Sequence, residues 1–145
     1  RGTGVMNRTF HSYGPFKSGI TGRINGALIS METGPAVAFA IFNLQERGEI
    51  FISHNTEVYK GMICGEHNRD NDLEVNFLKG KKLTNMRTQG TDENVVLTPP
   101  RQMSLEEKMA YINDDEVLEV TPKNLRLRKQ FLDPHERKRA AKEQI

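Results

Sequence analysis

The stretch of this sequence with the most evident chemistry is the run Lys79 to Arg87 (KGKKLTNMR), which holds four cations and no acid. Gly80 loosens its backbone, and its apolar residues follow neither the period of a strand nor that of a helix, so the run is predicted to be a loop. Lysines neutralise phosphates, an arginine adds a forked contact, and Asn85 can read a base or sugar edge. The loop is either a solvated turn or a surface that meets a polyanion.

The formal net charge of +2 hides an uneven distribution of charge along the chain. From Leu105 to Glu119 six acids face one lysine, whereas from Lys123 to Glu143 eight cations face three acids. Such segregation can orient a molecule on a nucleic acid, although charge runs are more often solvated faces. Further basic candidates for RNA contact lie outside the loop and comprise Arg69, Arg126, Arg128 and Lys129.

A second chemistry is suggested by the polar segment around Glu66, Asp70 and Asp72, which presents carboxylates for a divalent cation. The segment lacks the glycine and distal glutamate of a calcium-binding loop, and Arg69 competes for the same carboxylates. Loops of this composition are usually turns held by Asn and Asp side chains. A small Mg-dependent phosphodiesterase remains the alternative function that this cluster would support.

Other reactive groups give little support for catalysis. Gly14 to Gly19 has the glycine spacing of a phosphate-binding loop, but Ile20 and Thr21 stand where Lys and Ser/Thr are required. The single Cys64 lies in an apolar context and is predicted to be buried and reduced. We therefore expect no catalytic residue, no cofactor, no metal and no small-molecule substrate in this chain.

Length and hydropathy favour one ordinary domain of a water-soluble protein. The chain has 145 residues and no apolar run near the roughly 20 residues that span a membrane. It shows no signal peptide, so a cytoplasmic location without membrane association is predicted. Because the sequence begins at Arg1, we expect it to be a fragment of a longer protein.

The pattern of breakers and apolar residues predicts an α+β fold that is rich in strands and contains short helices. Ser104 and Glu107 form a capping-box pattern at the start of one helix, for which Leu105, Met109 and Ile112 would supply the apolar face. The remaining predicted elements are strands at 5–13, 26–31, 49–52, 58–65, 94–98, 116–121 and 124–131, a helix at 35–47, and a basic helix that begins near Asp133.

Several stretches of this sequence, in the same order, resemble the C-terminal part of the BipA/TypA family of bacterial translational GTPases. They include RGTGVMN, NGALISMETG, AVAFAIFNLQERG, GEHNRDNDLEVN, KGKKLTNMR, LTPPRQMSLEE and EVTPKNLRLRKQFL, and together they cover nearly the whole chain. The sequence departs from the usual family pattern at Ile24, where Arg is expected, and at Ser53 to Asn55, where a Gly-Pro-Gly-like turn is common.

The resemblance implies that residues 1–13 are the last strand of a domain like the fifth, ferredoxin-like domain of elongation factor G. Residues 14–145 would then be the domain specific to this family. It also implies a ribosome-bound parent that acts in assembly of the 50S subunit and in stress and virulence responses, with GTP and Mg²⁺ in a GTPase domain outside this chain. The expected partners are 23S rRNA and the acceptor end of A-site tRNA, contacted by Lys79, Lys81, Lys82, Asn85 and Arg87. A scaffold that touches only ribosomal proteins is a further alternative.

Overall fold

The computed structural model describes residues 5–15, 23–80 and 96–143. In chain order the elements are β1 (Ala27–Ser30), β2 (Gly34–Pro35), α1 (Ala38–Leu44), β3 (Gly48–Ile50), β4 (Glu57–Val58), β5 (Met62–His67), β6 (Leu73–Val75), α2 (Leu105–Tyr111), β7 (Glu116–Val120), β8 (Leu125–Lys129) and α3 (Pro134–Glu143). A strand-rich architecture with short helices confirms the predicted α+β class.

One main sheet organises the domain, with the strand order β6-β1-β5-β8-β7 and with β3 paired to the far end of β5. All of its pairings are antiparallel except that of β1 with β6, which is parallel. The two short strands β2 and β4 form a separate antiparallel pair. β5 is therefore the central strand, and it is buried along almost its whole length.

Two apolar cores lie on opposite faces of the main sheet, because successive side chains of a strand point to opposite sides. Ala27 and Ile29 of β1 belong to one core, and Leu28 between them belongs to the other. The α1-side core is built from Leu28, Ala36, Ile41, Ile50, Ile52, Val58, Met62, Cys64, Val75 and Phe77. The α2-side core is built from Ala27, Ile29, Ile63, Tyr111 and Leu127.

Most of the predicted elements of the second half are confirmed. β7, β8 and α3 form where the pattern placed them, and α2 begins with the predicted capping box between Ser104 and Glu107. The predicted apolar face of α2 is confirmed at Ile112, which packs against the α2-side core, and is wrong at Leu105 and Met109, which are 39% and 61% exposed. Tyr111 is the buried residue of this helix and belongs to the same core.

The first half departs further from the predictions. The helix expected from Pro35 begins at Ala38, and Pro35 belongs to β2. The sequence pattern does not predict β6, because this strand has three residues and follows a polar turn. Its partner, β1, lies much earlier in the chain. Residues 5–13 and 96–98 form no strand, and no described strand lies beside them to complete a ladder.

The fold shows the surroundings of two residues that the sequence analysis names, Cys64 and Asn55. Cys64 is fully buried in the α1-side core, as predicted, and burial raises the pKa of its thiol. Asn55 lies in the turn before β4 with φ of 61°, a left-handed conformation that asparagine tolerates better than most residues.

Candidate nucleic-acid interface

The predicted basic loop leaves the folded core beside the start of α1. Phe77 is completely buried in the α1-side core, and its carbonyl accepts a hydrogen bond of 2.9 Å from the amide of Val37, the N-cap of α1. Leu78 packs against the same core, and Lys79, the next residue, is exposed. The start of the loop is thus fixed by one buried aromatic side chain and one backbone hydrogen bond.

The chain returns to the core at the other end of α1. Gln45, the C-cap of this helix, donates from Nε2 to the carbonyl of Val96 (3.4 Å) and accepts at Oε1 from the amide of Thr98 (2.5 Å). Leu97, between these two residues, packs against the α1-side core. The described chain therefore stops and resumes at opposite ends of one short helix.

Of the residues predicted to contact RNA in this loop, Lys79 is described and the others are not. Lys81, Lys82, Asn85 and Arg87 lie outside the described residues, as does most of the glycine-containing run from Gly14 to Gly19. At the point where the described chain stops, Gly80 has open space around it, because a Cβ added there would meet no atom within 4 Å.

Arg69 is exposed in the turn between β5 and β6, and the turn itself is firmly held. The carbonyl of Arg69 accepts from the amide of Gly26 at 2.7 Å, and a ring nitrogen of His67 is 2.6 Å from the carbonyl of Asn71. The Arg69 side chain makes no hydrogen bond or ion pair with a described residue. Its guanidinium is available to an external anion.

Arg126 and Arg128 lie on one face of β8 and are only partly buried, but their surroundings differ. Arg126 forms an ion pair with Glu119 (3.2 Å), and Glu119 also accepts from the hydroxyl of Tyr59 (2.7 Å). The hydrogen bond from Tyr59 is the largest cause of the lowered pKa of Glu119; burial opposes it, and the hydrogen bond from Arg126 adds to the lowering. Arg128 donates only to the carbonyls of Lys129 and Gln130 among described groups, so its charge is not balanced there by a carboxylate.

The structure contradicts the prediction that Lys129 contacts RNA. Its side chain is 2% exposed, and its Nζ lies 2.5 Å from Asp72, 2.8 Å from Asp115 and 2.9 Å from Glu116. β8 continues its alternation past Leu127, which turns Lys129 toward the α2-side face and away from solvent. A buried ammonium that lies among three carboxylates is not exposed to an RNA partner.

Glu116, the fully buried partner of Lys129, is the centre of a wider charge network that no local sequence pattern indicated. Its two oxygens accept a bidentate pair of hydrogen bonds from Arg23 at 2.9 and 2.6 Å, and one oxygen also accepts from the amide of Asn113. The guanidinium of Arg23 sits 4.4 Å from the centre of the Tyr111 ring, within range of a cation–π interaction. The separation of Arg23 and Glu116 by 93 residues explains why the sequence alone did not reveal the pair.

The network changes the pKa of its members in the direction expected for paired charges. Burial alone would raise the pKa of Asp72, but hydrogen bonds from Lys129 and from the amide of Ala27 outweigh it and lower the pKa. Burial would likewise lower the pKa of Lys129, yet its carboxylate partners raise it. These two shifts favour the charged forms of Asp72 and Lys129 at neutral pH. The hydroxyl of Tyr111 is buried beside this network and finds no hydrogen-bond partner in the described part of the chain.

The carboxylates proposed for a phosphodiesterase are not arranged as a metal site. Glu66 accepts from the amide group of Asn25 at 2.8 Å, while Asp72 is bound to Lys129 and to the backbone of β1. Within residues 5–15, 23–80 and 96–143, no three His, Cys, Asp or Glu side chains come together as ligands for a metal ion. Glu66 and Asp72 are thus used in contacts within the fold, and Asp70 is exposed in the β5–β6 turn. No helix in the described ranges is long and apolar enough to cross a membrane.

Residues 25–134 match the family described as the TypA/BipA C-terminal domain. Over 140 residues the chain is 56% identical to a protein of Buchnera aphidicola (subsp. Schizaphis graminum) named large ribosomal subunit assembly factor BipA, and 54% identical to proteins of that name in Salmonella typhimurium and Escherichia coli K12. Each alignment covers 96% of this chain but 23% of the relative, so the chain spans about a quarter of the length of these relatives.

Proposed function

Because this chain belongs to the TypA/BipA family and contains its C-terminal domain, we propose that it is a non-catalytic module that binds ribosomal RNA during assembly of the large subunit. The proposed contacts are made by the basic loop, through Lys79, Lys81, Lys82, Asn85 and Arg87. The expected targets are 23S rRNA and the acceptor end of A-site tRNA.

The observation that supports this proposal most is where the chain on either side of the basic loop is attached to the core. Its two ends are fixed at Phe77 and Thr98, at opposite ends of α1, a helix of seven residues and therefore about 10 Å long. About three extended residues would cover that distance. The chain has 20 residues between Phe77 and Thr98, so most of them are not needed to close the fold. The surplus contains Lys79, Lys81, Lys82 and Arg87 in its first half, and its length and charge fit a segment that binds a partner.

The charges around the loop favour a polyanionic partner. Lysine ammonium groups neutralise phosphates as point charges, whereas the fork of Arg87 suits a bidentate contact and Asn85 can read a base or sugar edge. Arg69 and Arg128 add charges that no described carboxylate balances. Arg126 contributes less because Glu119 already pairs with it, and Lys129 is excluded by its burial.

For the intact protein we propose the activity that the family resemblance implies. It would be a cytoplasmic translational GTPase whose GTP and Mg²⁺ bind in a domain that this chain does not contain. Residues 1–13 would then complete a domain like the fifth domain of elongation factor G. That assignment would put an interdomain boundary near residue 14, and it would link the protein to translation under stress and in virulence.

The decisive experiment measures binding of the intact protein to purified 50S subunits as a function of salt. A Lys81→Gln, Lys82→Gln and Arg87→Gln triple variant should lower the slope of log K against log salt by about 2 to 2.7, or about 0.7 to 0.9 for each phosphate that is no longer neutralised. The control replaces Lys123, an exposed cation in the turn between β7 and β8, by Gln and should leave the slope almost unchanged. Equal slopes for the triple variant and the control would overturn the proposal.

Crosslinking separates RNA binding from the protein-only alternative. A photoreactive residue in place of Met86 should crosslink to 23S rRNA or to tRNA in the 50S or 70S particle. Crosslinks from that position to ribosomal proteins alone would favour a scaffold that touches no RNA.

A further inference from the structure

The last helix of the described chain, α3 (Pro134–Glu143), buries none of its side chains and yet holds a defined position. Arg137 donates to the carbonyls of Phe131 and Leu132, both at 2.8 Å, and forms an ion pair with Glu74 of β6. Asp133 caps the helix through the amide of His135 at 2.7 Å. A helix that is polar on all sides gains little from packing, so these polar contacts fix its place.

Some cations of α3 form contacts with other described residues, and others do not. Arg137 is used in the anchor, and Arg139 faces Glu143 at 3.6 Å one turn away. Lys138 and Lys142 are exposed, and neither forms an ion pair with a described residue. They are four positions apart, so they lie on the same side of the helix, about 6 Å apart along its axis.

From this arrangement we propose that α3 is a second RNA-binding element, in which Lys138 and Lys142 contact phosphates of ribosomal RNA at a site separate from the basic loop. The inference rests on the proposed function in taking RNA as the partner. The helix is tied to Glu74 of β6, whereas the described chain stops at Gly80 and resumes at Val96 beside the two ends of α1. Contacts from two different elements would set the orientation of the domain on its RNA more firmly than contacts from one segment.

The composition of the exposed side of α3 favours RNA over a protein partner. Protein interfaces are enriched in aromatic residues, Met and Arg and are depleted in Lys. The helix contains no aromatic residue, and its only apolar side chains beyond Pro134 are Ala140 and Ala141, which line a cleft of about 260 Å³ against the rest of the domain. Exposed lysines on a rigid helix are instead suited to sequence-independent phosphate contacts, which position a protein without reading bases.

The test compares three variants of the intact protein in salt-dependent binding to purified 50S subunits. Lys138→Gln with Lys142→Gln should lower the salt slope by about 1.4 to 1.8, corresponding to two phosphate contacts. Glu136→Gln with Glu143→Gln, on the same helix, should leave binding equal or tighter. Arg137→Gln should weaken binding although the exposed lysines are intact, because the helix loses its anchor. Circular dichroism of each variant confirms that the domain remains folded.

The outcomes distinguish this inference from the proposed function. If the lysine pair variant binds as tightly as the wild type, with an unchanged slope, α3 is not an RNA contact, whatever the loop does. If the loop variant has no effect but the lysine pair variant does, the loop assignment fails and α3 stands. Photocrosslinks from position 138 or 142 to rRNA support the inference, and crosslinks to ribosomal protein alone overturn it.

Discussion

The replacement Glu116→Gln tests whether the buried charge network stabilises this domain. Glu116 is fully buried and accepts two hydrogen bonds from Arg23, one from Lys129 and one from the amide of Asn113. Glutamine has nearly the same shape, but it removes the negative charge and turns an NH₂ group toward one of the cations. The substitution therefore changes the electrostatics and leaves the packing almost intact.

The expected loss of stability depends on which partners Lys129 and Arg23 retain when Glu116 is replaced. Lys129 retains Asp72 and Asp115, both of which are partly exposed, so the effect on it is modest. Arg23 has a side chain that is 5% exposed, and among the described groups its remaining direct contacts are the carbonyl of Asn25 and the Tyr111 ring. Removing one partner of a buried ion pair costs about 3–5 kcal/mol because the other charge is left without compensation. We expect Glu116→Gln to lie in that range.

Glu119→Gln is the matched control, since the two glutamates lie on the same strand. Glu119 pairs with Arg126 at 3.2 Å, but both side chains are about one-third exposed, and such pairs contribute about 0–1 kcal/mol. Urea unfolding at pH 7, followed by circular dichroism, gives the free energy of unfolding for each variant. The melting temperature of the Glu116 variant should fall by about 10 °C. A difference of under about 1 kcal/mol between the two variants would refute a stabilising network.

Three further predictions follow from particular contacts. The pKa of Asp72 is lowered in the folded chain, so its contribution to stability is present above the pKa of an unfolded aspartate, about 3.9, and is lost as the pH falls through the folded pKa. Urea midpoints between pH 6 and pH 2 should thus fall more steeply for the wild type than for Asp72→Asn. Gly48→Ala should prevent normal folding, because its Cβ would lie 1.9 Å from the Glu66 carbonyl oxygen, whereas Gly80→Ala should be neutral in expression and melting temperature. Tyr111→Phe should leave the free energy of unfolding equal or slightly higher, since the removed hydroxyl had no described partner; a clear drop in stability would show that it had one.

Local signals in the sequence predicted the second half of the fold well. The capping box at Ser104, the alternation in β8 and the Asp133-Pro134 start of α3 each depend on residues a few positions apart, and each forms as expected. The same alternation also puts Lys129 on the face of Leu127, which the prediction of an RNA-binding Lys129 overlooked. A lysine in register with core leucines is a signal that could have identified the buried pair.

Features that depend on contacts between distant parts of the chain could not be predicted from local sequence patterns. Strand β6 is three residues long and is defined by its parallel pairing with β1. Glu116 stands among acids that suggest a solvated face, and only the fold brings Arg23 to it. Gly48 reads as the end of a helix, but its importance lies in the close approach of β3 to β5.

The spread of the buried network along the chain has a consequence for folding kinetics. Arg23, Asp72, Glu116 and Lys129 come from four separate segments, and the hydrogen bonds between Arg23 and Glu116 span 93 residues. Closing such long loops costs entropy before any contact is gained, so the network should form after the rate-limiting barrier has been crossed. Variants at Glu116 should therefore accelerate unfolding and leave the refolding rate nearly unchanged. On that basis the network slows unfolding and so determines the lifetime of the folded state.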